Sequence, residues 1–165
     1  MRLYRLETSN WLPRPLDEVF AFHADAGNLQ RITPPWLDFA IRTPAPVEMR
    51  KGTLIDYRLR LHGIPLRWQS AITFWDPPRS FVDEQRRGPY RRWIHRHEFV
   101  EEHGGTRVGD EVEYAVPFGA LANWLVVERD VRRIFAYRRE ALCRIFGVEP
   151  CEPLSIVIGQ TRRAC

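Results

Sequence analysis

The middle of the chain consists of segments in which apolar and polar residues alternate, joined by turns too short for a crossover connection. Thr53–Leu61 and Leu66–Trp75, for example, are separated by a turn at Gly63–Pro65. Strands connected so closely must run antiparallel, because a parallel pair needs a much longer link. The pattern predicts a meander of about six strands between residues 37 and 118, preceded by a first strand over Arg2–Ser9.

Helical sequence stands on either side of this meander. Pro15–Asp25 has apolar residues at helical spacing, a proline suited to the first turn and acidic residues near its start. Asn28–Ile32 adds a further turn before two prolines end it. From Ala120 to Phe146 the apolar residues recur with a period of about 3.6, and Gly147 follows as a typical helix end. We therefore expect a short helical pair and one long C-terminal helix.

These elements define an α+β fold of one domain. The chain has 165 residues, of which 44% are hydrophobic and 28% charged, as in a globular protein with a proper core. We predict a curved antiparallel β-sheet of about seven strands wrapped around the long C-terminal helix, with the short helical pair after the first strand. The domain spans residues 1–147, and residues 148–165 form a loosely packed C-terminal tail in which Ser155–Ile158 is a candidate extra strand.

Composition and charge weigh against several classes of function. The net charge is +4, but the arginines are interleaved with acidic residues and no nucleic-acid recognition motif accompanies them. No apolar run reaches membrane-spanning length, and the N-terminus lacks the apolar core of a signal peptide. Cys143, Cys151 and Cys165 lack metal-type pairing, which favours reduced thiols. We therefore expect a cytoplasmic protein with no nucleic-acid partner and no integral membrane segment.

Two neighbouring strand segments combine aromatic, aliphatic and polar side chains on one face. Side chains on a strand alternate between its two faces. The faces that avoid the charged residues carry Trp93, His95, His97 and Phe99 on one segment and Asp110, Val112, Tyr114 and Val116 on the next. This mixture is unusual for an ordinary hydrophobic core, because each buried polar group without a hydrogen-bond partner costs a few kcal/mol of stability. An internal cavity that holds water or a ligand would accommodate it.

Sequence features along most of the chain resemble a known superfamily. They are Pro15–Asp25 with Asn28-Leu29, Ile32–Phe39, Gly52-Thr53, Asp83–Gln85, Gly88–Tyr90, Trp93-x-His95-x-His97, Asp110–Tyr114 and Pro117–Gly119. On these residues the chain resembles the START-like superfamily (SRPBCC), the helix-grip fold of lipid-transfer domains, the birch-pollen allergen and the polyketide cyclase/dehydrase group. The resemblance covers about residues 1–147 and is specific to a bacterial subgroup of small, single-domain members. It implies the helix-grip fold and a cavity for a hydrophobic ligand, but no particular reaction, because one fold hosts many functions.

The inward-facing residues form a candidate ligand site in this cavity. A few polar groups in apolar surroundings orient a mostly apolar molecule that carries a hydroxyl, carbonyl or carboxylate. The long helix would supply both core and cavity roof. The candidate ligand-binding residues are Tyr57, Trp68, Asp83, Gln85, Trp93, His95, His97, Asp110, Tyr114, Trp124, Val131 and Phe135.

Three other interpretations of these residues stay open. In an acid–base enzyme of the cyclase, dehydratase or isomerase kind, His95 or His97 would move a proton. Asp110 would then set the tautomer, and Tyr114 or Trp93 would hydrogen-bond a carbonyl oxygen. His-x-His with an aspartate opposite also resembles a metal-binding facial triad, but the resemblance above is not to metalloproteins, so we expect no metal and no cofactor. Finally, His97 and Asp110 can simply tie adjacent strands together.

The sequence favours a carrier, sensor or sequestering protein for a small hydrophobic or lipid-like molecule. An enzyme in the same cavity is the alternative, with candidate catalytic residues His95, His97, Asp110 and Tyr114. A protein-binding module is a second alternative, since some relatives of this fold assist partner proteins through exposed faces. The helix arginines are interpreted as a solvated face, and His23, His62 and His103 are assigned no chemistry.

Overall fold

The computed structural model describes residues 2–117, 126–148 and 155–160, which contain one antiparallel sheet and several helices. The strands are β1 (Tyr4–Leu12), β2 (Ala40–Ile41), β3 (Leu54–Leu61), β4 (Ile64–Asp76), β5 (Ser80–Arg87), β6 (Arg92–Glu102), β7 (Gly105–Ala115) and β8 (Ile156–Gln160). The helices within these residues are α1 (Leu16–Ala24), α2 (Glu128–Phe146) and 3₁₀ helices over Ala26–Ile32 and Pro35–Leu37. The strands lie in the order β2-β3-β4-β5-β6-β7-β1-β8.

The first strand, β1, lies beside the last hairpin and has a strand on each side. Its residues alternate strictly between buried and exposed, because one face of the sheet meets the core and the other meets solvent. It pairs antiparallel with β7, so that Thr8 lies opposite Asp110. On its other side it pairs with β8, which overlaps the predicted extra strand at Ser155–Ile158 and extends the sheet.

Two hairpin turns hold a histidine in an unusual backbone conformation. His62 and Gly63 join β3 to β4 with φ of 51° and 80°, and His103 and Gly104 join β6 to β7 with φ of 52° and 73°. Positive φ at both central residues is characteristic of a type I′ turn, whose twist matches that of the flanking strands. The turns therefore lie one residue earlier than the predicted Gly63–Pro65 and Gly104-Gly105.

Irregular pairing of β4 bends the sheet. The register between β4 and β5 shifts between Gln69 and Ser70, and again between Ile72 and Phe74. An extra residue in one strand of an antiparallel pair bends that strand and increases its twist. The inner face can therefore curve around α2.

Helix α2 packs against the inner face of the sheet through two apolar clusters. The C-terminal half of the helix joins α1 and the strands through Leu142, Phe146 and Phe99, among others. The N-terminal half joins β1 and β7 through Val131 and Phe135. Both ends of the helix are thus fixed to the sheet. Neither described α-helix has the length and apolarity that crossing a bilayer requires.

The structure confirms the predicted α+β helix-grip architecture, with eight strands among the described residues rather than about seven. The predicted strand Leu37–Arg42 shortens to β2, because the chain forms a 3₁₀ helix at Pro35–Leu37 and Asp38 then takes a left-handed conformation. The described part of the long helix begins at Glu128, and the predicted start at Ala120 lies outside the described residues.

The C-terminal residues differ from the sequence-based expectation in two respects. Ile156–Gln160 is a paired strand rather than part of a loosely packed tail. Cys143 is disulfide-bonded, so the expectation of reduced thiols is wrong at this residue. The domain boundary after Gly147 stays a prediction.

Candidate functional site

A cavity of ≈ 190 Å³ lies between the inner face of the sheet and α2. Residues of β3 to β6 line one side, α2 lines another, and α1 with the following 3₁₀ helix contributes further residues. Much of the wall is apolar, including Leu59, Leu61 and Leu66 around the β3–β4 hairpin and Val131, Ile134 and Phe135 on α2. An apolar cavity with a few convergent polar groups is the usual form of a small-molecule site.

The polar side chains of the inner face form one continuous chain of contacts from β1 to β3. It runs from Thr8 through Asp110, His95, His97, Asp83 and Ser70 to Tyr57, and we call these residues the polar seam. The seam follows from strand register, since Thr8 lies opposite Asp110 and Asp110 lies opposite His97. At its other end the Ser70 hydroxyl donates to Asp83 over 3.4 Å and lies 2.8 Å from the Tyr57 hydroxyl.

Two imidazoles and two carboxylates meet at the centre of the seam. His95 Nε2 lies 2.8 Å from Asp110 Oδ1, and its Nδ1 lies 3.7 Å from Asp83 Oδ2. His97 Nε2 lies 3.1 Å from Asp83 Oδ2, and its Nδ1 lies 3.2 Å from Asp110 Oδ1. The two rings are buried, with centroids 3.8 Å apart. Each ring therefore contacts both carboxylates, which is more than a single tie between two strands.

Burial and pairing act in opposite directions on these four groups. Burial alone would raise the pKa of both carboxyls, but the imidazoles hold the pKa of Asp83 below its ordinary value and that of Asp110 well below it. Burial would lower the pKa of His97, but hydrogen bonds to Asp110 and Asp83 raise it overall. For His95, burial together with the charge of His97 outweighs Asp110, and the pKa is lowered. The positive charge of the pair is thus favoured on His97.

Aromatic rings cover the wall beside Ser70. Tyr57 and Trp68 stack with ring centroids 6.0 Å apart, and Trp68 meets Trp93 edge-on at 5.5 Å. Tyr90 lies 4.7 Å from Trp93, and the Trp68 indole donates to Ser70 Oγ at 3.1 Å. Burial is the main cause that raises the pKa of the Tyr57 and Tyr90 hydroxyls. Both phenols therefore remain protonated at neutral pH and can act as hydrogen-bond donors.

Two residues without a predicted site role, His23 and Arg138, also line the cavity. His23 Nδ1 lies 2.8 Å from the carbonyl oxygen of Val19, and burial lowers the pKa of His23 to about 4. Arg138 places its guanidinium over the Phe135 ring, 5.4 Å from the centroid, so it does not belong to a purely solvated face. Helical spacing was the missed signal, because Arg138 follows Val131 at i+7 and His23 follows Val19 at i+4.

The structure brings most of the predicted site residues together. Those that line the cavity are Tyr57, Trp68, Asp83, Trp93, His95, His97, Val131 and Phe135. Gln85, Asp110 and Tyr114 do not line it. Trp124 lies outside the described residues.

Each of the three residues that do not line the cavity has other contacts that explain its position. The Gln85 amide donates to the carbonyl oxygen of Tyr90 at 2.7 Å and accepts from the Tyr90 N–H at 3.3 Å, which fixes the β5–β6 turn. Asp110 contacts the imidazoles from β7. Tyr114 is fully buried and stacks on Tyr4 with centroids 5.5 Å apart, inside the apolar cluster at the N-terminal half of α2.

Known proteins resemble this chain in sequence and in fold. A family model described as "Polyketide cyclase / dehydrase and lipid transport" matches residues 12–136. A comparison with curated proteins finds no significant match.

Several solved structures share the fold. Protein Ms6760 from Mycobacterium smegmatis is 20% identical, with a TM-score of 0.62 over 87% of this chain and 89% of that one. Major latex-like protein 151 from Panax ginseng is 10% identical, with a TM-score of 0.65 over 88% of this chain and 99% of that one. A nucleoside-diphosphate sugar epimerase from Corynebacterium glutamicum is 25% identical, with a TM-score of 0.62, but the match covers 84% of this chain and only 28% of the epimerase chain.

Proposed function

Because the chain belongs to the polyketide cyclase/dehydrase and lipid transport family, we propose that it binds a small hydrophobic or lipid-like molecule in its internal cavity. It would act as a carrier, sensor or sequestering protein for that molecule. The observation that carries this proposal is a largely apolar cavity whose wall is crossed by the hydrogen-bonding groups of the polar seam. Such a wall offers both burial and orientation to one occupant.

The wall defines the chemistry that an occupant needs. The apolar parts of an occupant would be buried against the leucines of the β3–β4 hairpin and against α2. This burial contributes about 25 cal/mol of binding free energy per Å² of apolar surface removed from water. A hydroxyl or carbonyl oxygen fits best at the polar seam, where Ser70 and Tyr57 offer hydroxyl groups. A carboxylate can reach the guanidinium of Arg138, a charge-assisted donor in the same cavity.

Native mass spectrometry of freshly purified protein tests whether a ligand occupies the cavity. We expect an apolar adduct that dissociates on denaturation and that extraction with organic solvent recovers. A uniformly ligand-free mass, together with no saturable binding of the fluorescent probe 1-anilinonaphthalene-8-sulfonate, would contradict the proposal.

A cavity-filling variant locates the binding. Ile134→Trp places a large ring inside the cavity wall on α2. We expect at least a tenfold loss of probe affinity, equivalent to about 1.4 kcal/mol. Val126→Trp is the matched control, because Val126 lies just before the N-cap of the same helix but is 43% exposed and does not line the cavity. Equal losses in the two variants would place the probe elsewhere.

An acid–base enzyme is the second candidate, and the contacts of His97 favour it. The ring lines the cavity and contacts a carboxylate through each nitrogen, which suits a group that holds and releases a proton. If the protein converts its ligand, wild type and His97→Asn should co-purify with different molecules, product in one and substrate in the other. Identical adducts would favour the carrier.

A cytoplasmic location and a protein partner also stay predictions. The disulfide at Cys143 is of a kind more common in oxidising compartments. Cell fractionation with a C-terminal epitope tag tests the location, and recovery of the protein outside the cytoplasm would overturn it. A protein-binding role would be favoured if a purified partner bound equally well to wild type and Ile134→Trp.

A further inference from the structure

The geometry points to a binding site for a divalent transition-metal ion, with Asp83, His95 and His97 as its ligands. One ligand atom from each of these residues lies within 4.8 Å of the other two. The sequence suggested Asp110 as the carboxylate of such a triad, but the structure places Asp83 at the ring nitrogens that face the cavity side of the seam. Nothing in the proposed carrier function requires a metal, so this inference goes beyond it.

The two carboxylates divide the four ring nitrogens between them. Asp110 Oδ1 lies 2.8 Å from His95 Nε2 and 3.2 Å from His97 Nδ1. His95 Nε2 hydrogen-bonds Asp110, and a neutral imidazole with its N–H on that nitrogen leaves Nδ1 as an acceptor on the side of Asp83. On His97 it is Nε2 that hydrogen-bonds a carboxylate, that of Asp83. A metal ion bound there would replace the proton that lies between these two atoms.

The two nitrogens converge on Asp83 Oδ2, which lies 3.7 Å from His95 Nδ1 and 3.1 Å from His97 Nε2. Lone pairs on three converging atoms repel one another unless a proton or a metal ion lies between them. Metal–ligand bonds of about 2.0–2.1 Å in tetrahedral geometry separate the ligand atoms by about 3.3 Å. The observed separations bracket that value.

Asp110 completes a second recurring feature of metal sites. A metal-bound imidazole usually donates its other N–H to a carboxylate, which fixes the tautomer and the ring orientation. Here Asp110 Oδ1 makes this bond with His95 Nε2 and lies 3.2 Å from His97 Nδ1. In the metal-bound form both imidazoles are neutral, and the two carboxylates carry a charge of −2, which one divalent cation neutralises. Burial favours that neutrality, because an uncompensated buried charge is costly.

The donor set selects the class of metal. Two imidazoles and one carboxylate suit Zn²⁺ or Fe²⁺, whereas Mg²⁺ and Ca²⁺ prefer oxygen ligands alone. Asp83, His95 and His97 all line the cavity. An oxygen of the bound molecule can therefore complete the coordination, and this step alone rests on the proposed function.

Titration of the metal-stripped full-length protein tests the site without any apolar ligand, so its result is independent of the proposed carrier function. The probes are Zn²⁺ by calorimetry and Co²⁺ by visible absorption. We expect one equivalent to bind, and the Co²⁺ spectrum to be that of a four- or five-coordinate ion. Absence of saturable binding, or a Co²⁺ spectrum like that of the aqueous ion, would overturn the proposal whether or not any variant folds.

Variants assign the ligands. Asp83→Asn keeps the shape of the side chain but removes its charge, and we expect at least a hundredfold loss of Zn²⁺ affinity. Asp110→Asn should cost about 10–100-fold, as for other partners of metal-bound histidines, while retaining the Co²⁺ spectrum. His103→Ala removes an exposed turn histidine that lies outside the seam, and it should bind as wild type does. Binding that survives Asp83→Asn but disappears in His103→Ala would place the ion on the surface and refute the site.

Discussion

His23 combines a titratable ring with a largely apolar environment. Its Nδ1 donates to the carbonyl oxygen of Val19 in the neutral form, and its ring lies edge-on to Phe99 with centroids 5.1 Å apart. Burial lowers its pKa from 6.5 to about 4. As the pH falls, the His23 imidazole is therefore protonated near pH 6.5 in the unfolded chain, but only near pH 4 in the folded protein.

Replacement of this ring should make the fold less sensitive to acid. Because the unfolded state binds more protons between pH 6.5 and 4, stability falls as the pH falls through that range. Between pH 7.5 and pH 5 the His23 contribution amounts to at most about 2 kcal/mol. In His23→Asn, whose amide can still donate to Val19, urea unfolding should show a smaller loss between these two pH values. His103→Asn is the control on an exposed turn, and an identical pH dependence in wild type and His23→Asn would contradict the prediction.

For single residues, strand alternation and helical spacing predicted the face on which a side chain lies better than they predicted the residues that it contacts. The strand period placed His95 and His97 on the inner face correctly, because the period of a strand is fixed by its backbone. It could not show that Asp83, two strands from Asp110, would share both rings. That depends on the register between β5 and β6, which the local sequence does not specify. Ser70 joined the seam for the same reason.

A hydrogen bond joins the turn of the β3–β4 hairpin to α2. His62 at the turn lies 2.7 Å from Asp130 Oδ2 in the first turn of the helix, and Asp130 also lines the cavity. The hairpin strands carry the half-buried leucines Leu59, Leu61 and Leu66, which form part of the cavity wall. Separation of the hairpin from the helix would open a route into the cavity.

Loss of this contact should speed ligand exchange. His62 is 57% exposed, so the pair contributes only about 0.5–1 kcal/mol, which corresponds to a two- to fivefold faster release. We expect this acceleration in His62→Ala, measured by stopped-flow release of 1-anilinonaphthalene-8-sulfonate. His103→Ala is a matched control, since His103 holds the same turn position with nearly the same φ on the other long hairpin. The same acceleration in both variants would attribute the effect to the turn itself.

The β5–β6 turn depends on close contact between Gly88 and Gln85. A Cβ at position 88 would overlap the Gln85 amide, which would have to leave Tyr90. Gly88→Ala should therefore lose both Gln85 hydrogen bonds and about 1–2 kcal/mol of stability. Urea unfolding of Gly88→Ala, Gln85→Ala and the double variant should show strongly non-additive losses. Gly109→Ala, where a Cβ meets only ordinary contacts, is the control, and additive losses would disprove this coupling.

Elements were predictable where their signal was local. The α1 helix and the strands of the meander follow from periodicity and turn residues, and their observed bounds differ from the predicted ones by a few residues. The short β2 was overestimated, because Pro35–Leu37 continues the helical path into the predicted strand. The pairing of β8 with β1 joins residues far apart in sequence, and no local pattern encodes such a contact.

For the molecule as a whole, truncation after residue 147 tests whether the predicted domain folds independently of the residues that follow it. Removal of residues 148–165 deletes β8 and leaves β1 as an edge strand. It also deletes the carbonyl of Ile156, which accepts from Arg132 Nη1 at 3.0 Å. We expect a chain of residues 1–147 to keep its β-rich circular dichroism with a lower melting temperature. Full-length Cys143→Ala is the control for any effect of the disulfide at Cys143, and an unfolded 1–147 chain would show that the domain extends further.

The polar seam lies between the two apolar clusters of the interior. His97 stacks on Phe81 of the cluster that contains Phe99, and His95 contacts Phe135 of the cluster that contains Val131. A purely hydrocarbon ligand in contact with both clusters would displace water from the polar seam without forming a hydrogen bond in its place, which costs free energy. A ligand with one oxygen near the middle of its carbon skeleton avoids that desolvation penalty. Selectivity in this interior should therefore depend on where along a molecule its oxygen sits, more than on how long the molecule is.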